Sequence, residues 1–352
     1  MSAVIDVEID GRVVSISNPD KIYFSKHGET KKDLLDYYLA VAEPLLRTTR
    51  NRPVLLERYP DGAGGKSWFQ KRVPKSVPDW LQTTVVSTPN GTTSDALVAA
   101  DMAHILWAVN LGCLGFHVWP THAGAPEAST AAPVHDAAGA VLPPTGVTDE
   151  LRVDLDPSPG IGFPELRRAA VLTRSLCTEL GIDVRVKTSG SRGLHLYALL
   201  EPKWDGYQVR AAAVALAREL ERRHPEQITA SWWKEERGAR VFFDYNQNAP
   251  HRTVFGAWCV RPKVGGQVST PLFWDELDDV VPEELTLSTV PARVADLGDP
   301  WADRTPQDLT PLLELSARDL DAGLMDAPWP PVYPKMPNEP PRVQPSRARP
   351  PE

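Results

Sequence analysis

Two spacings alternate along this 352-residue chain: apolar positions three and four apart, which share a helical face, and short apolar runs bounded by Gly and Pro, which read as strands. In HGETKKDLLDYYLAVAEPLL, Leu34, Leu35, Tyr38, Val41 and Leu45 fall on one face, Thr30 is placed to cap it, and Asp33 three residues on makes a near capping box. Pro44 should kink or end that helix. RPVLLERYP and CLGFHVWP read as strands, and SDALVAADMAHILWAVNLG as a second amphipathic helix, with Ser94 as N-cap and Gly112 just past its end. Farther on, ELRVDLDP is a strand, and FPELRRAAVLTRSLCTELG a helix with Pro164 at its start and Gly181 at its stop. DVRVKTSGSRGLHLYALL is strand, turn, strand, GYQVRAAAVALARELERRHP a helix, and ARVFFDYNQN a strand. Strands and helices mixed without regular βαβ alternation indicate an α+β fold.

Two stretches follow neither spacing. Residues 121–146, rich in Ala, Pro, Gly and Thr, are expected to form an exposed, mobile insertion. From Ala327 to the last residue ten prolines recur, which predicts an extended tail, residues 327–352, largely outside the core of a domain spanning residues 1–326. Hydrophobic residues make up 42% and charged residues 24%, the balance of an ordinary globular protein. The first residues lack a basic segment followed by an apolar one, and no apolar run is long enough to span a bilayer, so a soluble, cytoplasmic protein is expected. Cys113, Cys177 and Cys259 are too few and too scattered for a disulfide framework or a zinc site and read as packed thiols. A net charge of -8 disfavours a polyanionic partner in sum. Basic residues nevertheless cluster in Lys21 to Lys32, in Lys66 to Lys75, and from KEERGAR through HRTVFGAWCVRPK, as either a local positive groove or solvated surface charge.

Candidate chemistry begins at LRVDLDPSPG. Asp154 and Asp156 project from one face of the strand, roughly 7 Å apart along the backbone. Two such carboxylates repel unless a cation lies between them, and Mg²⁺ or Mn²⁺ binds through one or two carboxylates together with substrate phosphate oxygens. A DxD pair by itself also fits a solvated strand end or a glycosyltransferase. Asp244 ends the apolar run RVFFD, where a carboxylate is costly to bury, so it reads as a third metal ligand or as the partner of an Arg such as Arg240. KTSGSRGLHLY offers Gly190 and Gly193 for positive φ, with Ser189, Arg192 and His195 along the same turn. That is a phosphate-binding nest or a plain hairpin.

Taken in order, DxD, then SGxxGxH, then an apolar strand ending in Asp resembles the archaeo-eukaryotic primase superfamily. The nearer likeness is to the polymerase domain of bacterial non-homologous end-joining ligases and their stand-alone relatives. SNPDKIYF, SWFQKRVPKSVPDW, NLGCLGFHVWP, FDYNQNAPHRTV and VSTPLFWDEL carry it too, over roughly residues 10–300. The resemblance implies a catalytic core of mixed or antiparallel sheets flanked by helices, in two tightly joined subdomains. It implies that Asp154, Asp156 and Asp244 are the catalytic, metal-binding triad for two Mn²⁺ or Mg²⁺ ions. Ser189, Arg192 and His195, with Arg261 and Gln247, would hold the incoming nucleotide, and His117 would stand beside them, although by itself it fits a core imidazole. Asn18, Lys21 and Lys31 match positions that hold the 5′-phosphate across a DNA gap, though both lysines fit solvated charge equally well. Trp68 and Phe69 match aromatics laid against the template, with Lys71 and Lys75 following the backbone; Phe69 fits core packing as well.

The activity so implied is template-directed extension of a primer 3′-OH across short gaps or breaks in DNA during repair, with a preference for ribonucleotides and recognition of a downstream 5′-phosphate. The expected partners are gapped or broken DNA, NTPs or dNTPs, and a separate ligase or end-binding protein, since no nucleotidyl-lysine motif is evident. A bacterial protein of this kind would associate with the nucleoid while on DNA. The rival from another class is a non-catalytic factor that docks on DNA ends. Two departures stand out: Gly115 where the family often carries an acidic residue, and Val118 where it carries proline.

Overall fold

The structure, a computed structural model, describes residues 3–89, 91–125, 133–142 and 145–342. Two six-stranded sheets carry the chain's chemistry. In the first, Val254–Phe255, Cys113–Val118, Pro53–Arg58, Thr93–Val98 and Thr83–Ser87 lie in that order, and Trp68–Gln70 also pairs with Pro53–Arg58. In the second the order is Ile228–Thr229, Val241–Phe243, Thr148–Pro157, Leu194–Trp204, Arg185–Thr188 and Pro271–Leu272. Every pairing there is antiparallel except the first, which is parallel. Helices Phe163–Glu179 and Gly206–Arg223 pack on the second sheet, and one continuous apolar core runs under both. The α+β architecture anticipated from the pattern is the one observed.

Local signals explain most boundaries. Thr30 caps the helix Lys31–Ala40 in a full capping box with Asp33. The chain breaks at Val41, and Pro44 falls in the first turn of the next helix, Ala42–Thr49, where a missing N–H costs no hydrogen bond. The second predicted helix is shorter than its pattern. Residues Thr93–Val98 form a strand, and the helix runs only over Met102–Asn110, capped by Asp101, not Ser94. Leu97 and Val98 are both buried there, so the helical spacing coincided with a strand end covered on two faces. Arg152 ties the sheets together: it donates to Val118 O in the first sheet at 3.0 Å and to Glu150 at 2.8 Å.

The tail packs more closely than its prolines suggest. Trp329, Tyr333 and Met336 are buried against Ala249 and Tyr207, so residues 327–342 belong to the packed body. Aromatic side chains between the prolines supply the apolar surface that a solvated extended tail would lack. In the insertion, His135 bridges Val141, Asp136 accepts from the N–H groups of Ala138 and Ala140, and Val134 and Leu142 pack on the Trp329 cluster. The described residues 133–142 are exposed or half-buried, as expected, and touch the body through Val134 and Leu142. Residues 126–132, 143–144 and 343–352 lie outside the described residues. All three cysteines are buried free thiols, as expected. Among the described residues no helix is long and apolar enough to cross a membrane.

Candidate active site

The second sheet brings the carboxylates together. Asp154 is paired with His195 on Leu194–Trp204, and Asp156 with Phe242 on Val241–Phe243, so Asp244 follows directly beside them. Asp244 N–H donates to Asp154 O at 2.9 Å, which fixes the third carboxylate to the strand bearing the first two. Burial pushes Asp154 up to about 6, against the pull of Lys187 and Arg261. Asp156, whose side chain opens onto the cleft, is raised to about 6 by desolvation between the cleft walls and then by Asp154. Burial, followed by Asp154, raises Asp244 to about 6 as well, although Gln247 Nε2 at 2.8 Å and the Asn246 N–H at 3.0 Å donate to it. Arg240 does not neutralise Asp244; it is spent on Glu221 and on the carbonyls of Pro225, Glu236 and Arg237.

A cleft of about 720 Å³ opens over this group, lined by Asp154, Asp156, Ser189, Arg192, His195, Gln247, Arg261 and His117. Its turn is built by close approach. Ser189 Oγ accepts from Ser191 N–H at 3.1 Å and Gly193 N–H at 3.0 Å. Gly190 has φ +69°, and a Cβ there would meet Arg261 Cγ at 2.7 Å. Gly193 is required for a different reason from the positive φ anticipated: a Cβ would sit 2.8 Å from Leu155 O. Arg261 donates to Ser189 O at 2.7 Å with its guanidinium 3.8 Å from the Phe255 ring centroid. His195 is held neutral, chiefly by burial and then by Lys187 and Arg261, and its Nδ1 is buried with no hydrogen-bond partner. His117 faces Glu57 at 3.2 Å between the rings of Phe69 and Phe255.

Among the described residues, no group of three or more His, Cys, Asp or Glu is already drawn together around one point. The donor set still suits a hard divalent cation. It is all carboxylate, Asp154 Oδ1 is buried with His195 Nε2 at 3.2 Å but no well-formed hydrogen bond, and the excess negative charge calls for neutralisation.

Asp244 does not line the cleft itself, and neither do the remaining predicted residues. Asn18, Lys21 and Lys31 come together through Lys21 N–H to Asn18 O and Lys31 N–H to Lys21 O. Lys31 is buried, and its amine donates to Ser17 O, Asn110 O and Asn110 Oδ1, each at 2.8 Å, so it is not solvated charge. Burial lowers it to about 8. Lys21 reaches Pro60 O and Asp61 and stays partly exposed. Trp68 and Phe69 are 47% and 59% exposed, which rules out core packing for both. Arg58 stacks on Trp68 at 4.9 Å. Lys71 is half-buried and Lys75 exposed on the segment that follows.

Sequence reasoning missed Arg237 and Lys234, which line the cleft. Arg237 lies near enough to Asp244 and Asp156 to interact with both, and it stacks on Phe242 at 3.4 Å. The KEERGAR cluster was its only signal.

A family model for the primase-polymerase domain of LigD matches residues 30–301. The chain belongs to that family. It is 31% identical over 286 residues to the multifunctional non-homologous end joining DNA repair protein LigD of Mycobacterium tuberculosis, covering 81% of this chain and 36% of that protein. To the bifunctional non-homologous end joining protein LigD of Bacillus subtilis it is 31% identical over 294 residues, covering 82% and 44%. The chain thus spans less than half the length of these relatives. The solved polymerase domain of Mycobacterium tuberculosis ligase D in complex with DNA superposes with a TM-score of 0.73 at 30% identity, over 83% of this chain and 99% of that one. The LigD primase-polymerase match ends before Trp329, so the C-terminal segment lies beyond it.

Proposed function

We propose that the chain is a template-directed nucleotidyltransferase that adds nucleotides, ribonucleotides by preference, to a primer 3′-OH at short gaps or breaks in DNA, gripping the downstream 5′-phosphate. The observation that carries this reading is a cleft lined by Asp154 and Asp156 together with Ser189, Arg192 and Arg261, with Asp244 tied to the strand of Asp154 and all three carboxylates raised to about 6. Asp154, Asp156 and Asp244 would hold two Mn²⁺ or Mg²⁺ ions, which when bound supply activation of the 3′-OH and neutralisation of the leaving pyrophosphate. Arg192, Arg261 and the Ser189 turn hold the triphosphate in line with the primer end, and neutral His195 offers its free Nδ1 to a phosphate oxygen or its proton. Gln247 and Asn246 hold the Asp244 carboxylate in place beside the strand of Asp154 and Asp156. Exposed Trp68 and Phe69 give the template a stacking surface that tolerates any base. Asn18, Lys21 and Lys31 form the 5′-phosphate contact, in which Lys31 anchors the turn and Lys21 exchanges Asp61 for phosphate. The solved relative is described in complex with DNA, which supports a DNA substrate here.

The test is metal-dependent addition of NTPs and dNTPs to a primer on one-nucleotide-gapped DNA carrying a downstream 5′-phosphate or 5′-hydroxyl. Addition strengthened by the phosphate is expected, with NTPs favoured. DNA binding without incorporation under either metal would replace this reading with that of a docking factor.

A further inference from the structure

Arg210 sits in the second turn of the helix Gly206–Arg223 and is 1% exposed. A guanidinium so buried is costly unless each donor finds an acceptor. Its acceptors are unusual in where they lead. Nε donates to Asn246 Oδ1 at 2.9 Å, NH1 to Asp326 at 3.1 Å, and NH2 to the carbonyls of Ala327 at 2.9 Å and Pro328 at 3.2 Å. The guanidinium also lies 3.7 Å from the Trp329 ring centroid.

Asn246 is buried as deeply, at 1%. Its backbone N–H donates to Asp244 Oδ1, its side-chain oxygen accepts from Arg210, and its side-chain amide donates to Pro328 O at 3.0 Å. Asp244 is thus linked to the C-terminal segment through one residue. That segment closes on itself. Trp329 Nε1 donates to Asp326 at 2.6 Å, and Glu339 accepts from the N–H groups of Trp329 and Met336, each at 2.9 Å.

We propose that residues 326–339 act as a latch that sets the carboxylate of Asp244 beside Asp154 and Asp156, with Arg210 and Asn246 as positioning residues and Trp329 as the lid on Arg210. Without the segment, Arg210 keeps only its bond to Asn246, and Asn246 loses its bond to Pro328. The 244–248 turn still has Asp244 N–H on Asp154 O and Asn248 on Arg152, but Asn246, whose N–H meets the Asp244 carboxylate, is left with one side-chain anchor instead of two. This inference rests on Asp244 being a metal ligand, and it adds that metal affinity depends on a segment beyond the family match.

The experiment titrates Mn²⁺ alone onto the full chain, with the free ion followed by electron paramagnetic resonance and melting recorded in parallel. Trp329→Ala and Asn246→Ala should each weaken Mn²⁺ binding about tenfold, the scale of a lost support behind a metal ligand. Trp329→Phe keeps a ring on Arg210 and should restore most of the affinity. Leu142→Ala thins the same apolar cluster but carries no polar link toward Asp244, so it should lower the melting temperature and leave Mn²⁺ affinity unchanged. Mn²⁺ affinity within twofold of wild type in both Trp329→Ala and Asn246→Ala overturns the latch, as does an equal loss in Leu142→Ala. Wild type binding Mn²⁺ no better than Asp156→Ala overturns the metal reading beneath it, which the variants alone would not.

Discussion

Replacing Asp154 with Asn should make the metal-free protein more stable. Its carboxylate is buried, raised from 3.8 to about 6, and only partly offset by Lys187 and Arg261. That rise corresponds to about 3 kcal/mol of disfavoured negative charge in the folded state. Between pH about 4 and 6 the folded protein holds the Asp154 proton while the unfolded chain has released it. Stability therefore falls as pH rises through this window, and the full penalty stands above it. Asp154→Asn removes the charge with little change of shape. In excess EDTA at pH 7.5 the variant should exceed wild type by up to about 3 kcal/mol, a gain of several degrees in melting temperature on the scale of roughly 2–4 °C per kcal/mol. At pH 4 the two should converge. Adding Mn²⁺ should reverse the order at pH 7.5, because only wild type keeps the full ligand set. Differential scanning calorimetry with and without EDTA at both pH values measures all of this. A variant less stable than wild type in EDTA at pH 7.5, or a gain that persists unchanged at pH 4, would refute the idea that this site stores unneutralised charge.

Asp156→Ala should abolish incorporation while DNA affinity, read by anisotropy, stays within about twofold, since the metal ligand set and not the DNA-binding surface is lost. Trp68→Ala and Phe69→Ala should each weaken DNA binding by about 1–3 kcal/mol without moving the melting temperature, because both rings are exposed. Lys31→Met should cost about 2–4 kcal/mol of stability by leaving Ser17 O and both Asn110 acceptors without their buried donor. Lys21→Ala should melt like wild type yet lose the stimulation of primer extension by a downstream 5′-phosphate. Equal melting of the two lysine variants would contradict the buried role of Lys31.

What could be read in the sequence depended on how local the determining force was. The capping box at Thr30 and Asp33 is written within four residues, and it forms as read. Asp154 and Asp156 share a face through strand alternation, and Asp244 joins them because an apolar strand delivers it to the same sheet. The helix anticipated from Ser94 failed because its spacing also suits a strand buried on both faces, and which sheet covers it is a tertiary fact. The tail was judged by its prolines, yet Trp329, Tyr333 and Met336 decide its place by packing against residues about 80 to 130 positions earlier. Arg210 was invisible for the same reason. In a helix of regular spacing it looks like one more solvated arginine, and only the fold brings Asn246 and Pro328 to it.

Gly115 shapes the cleft through its neighbour Phe255. A Cβ at 115 would lie 2.4 Å from the Phe255 ring and 2.8 Å from Val260 O, so a side chain there would need both the ring and the neighbouring backbone to move. Glycine lets the Val254–Phe255 strand lie directly against Cys113–Val118. Phe255, in turn, carries Arg261 on one face and meets His117 edge-on. One residue without a side chain thus decides which ring walls the cleft beside Arg261 and His117.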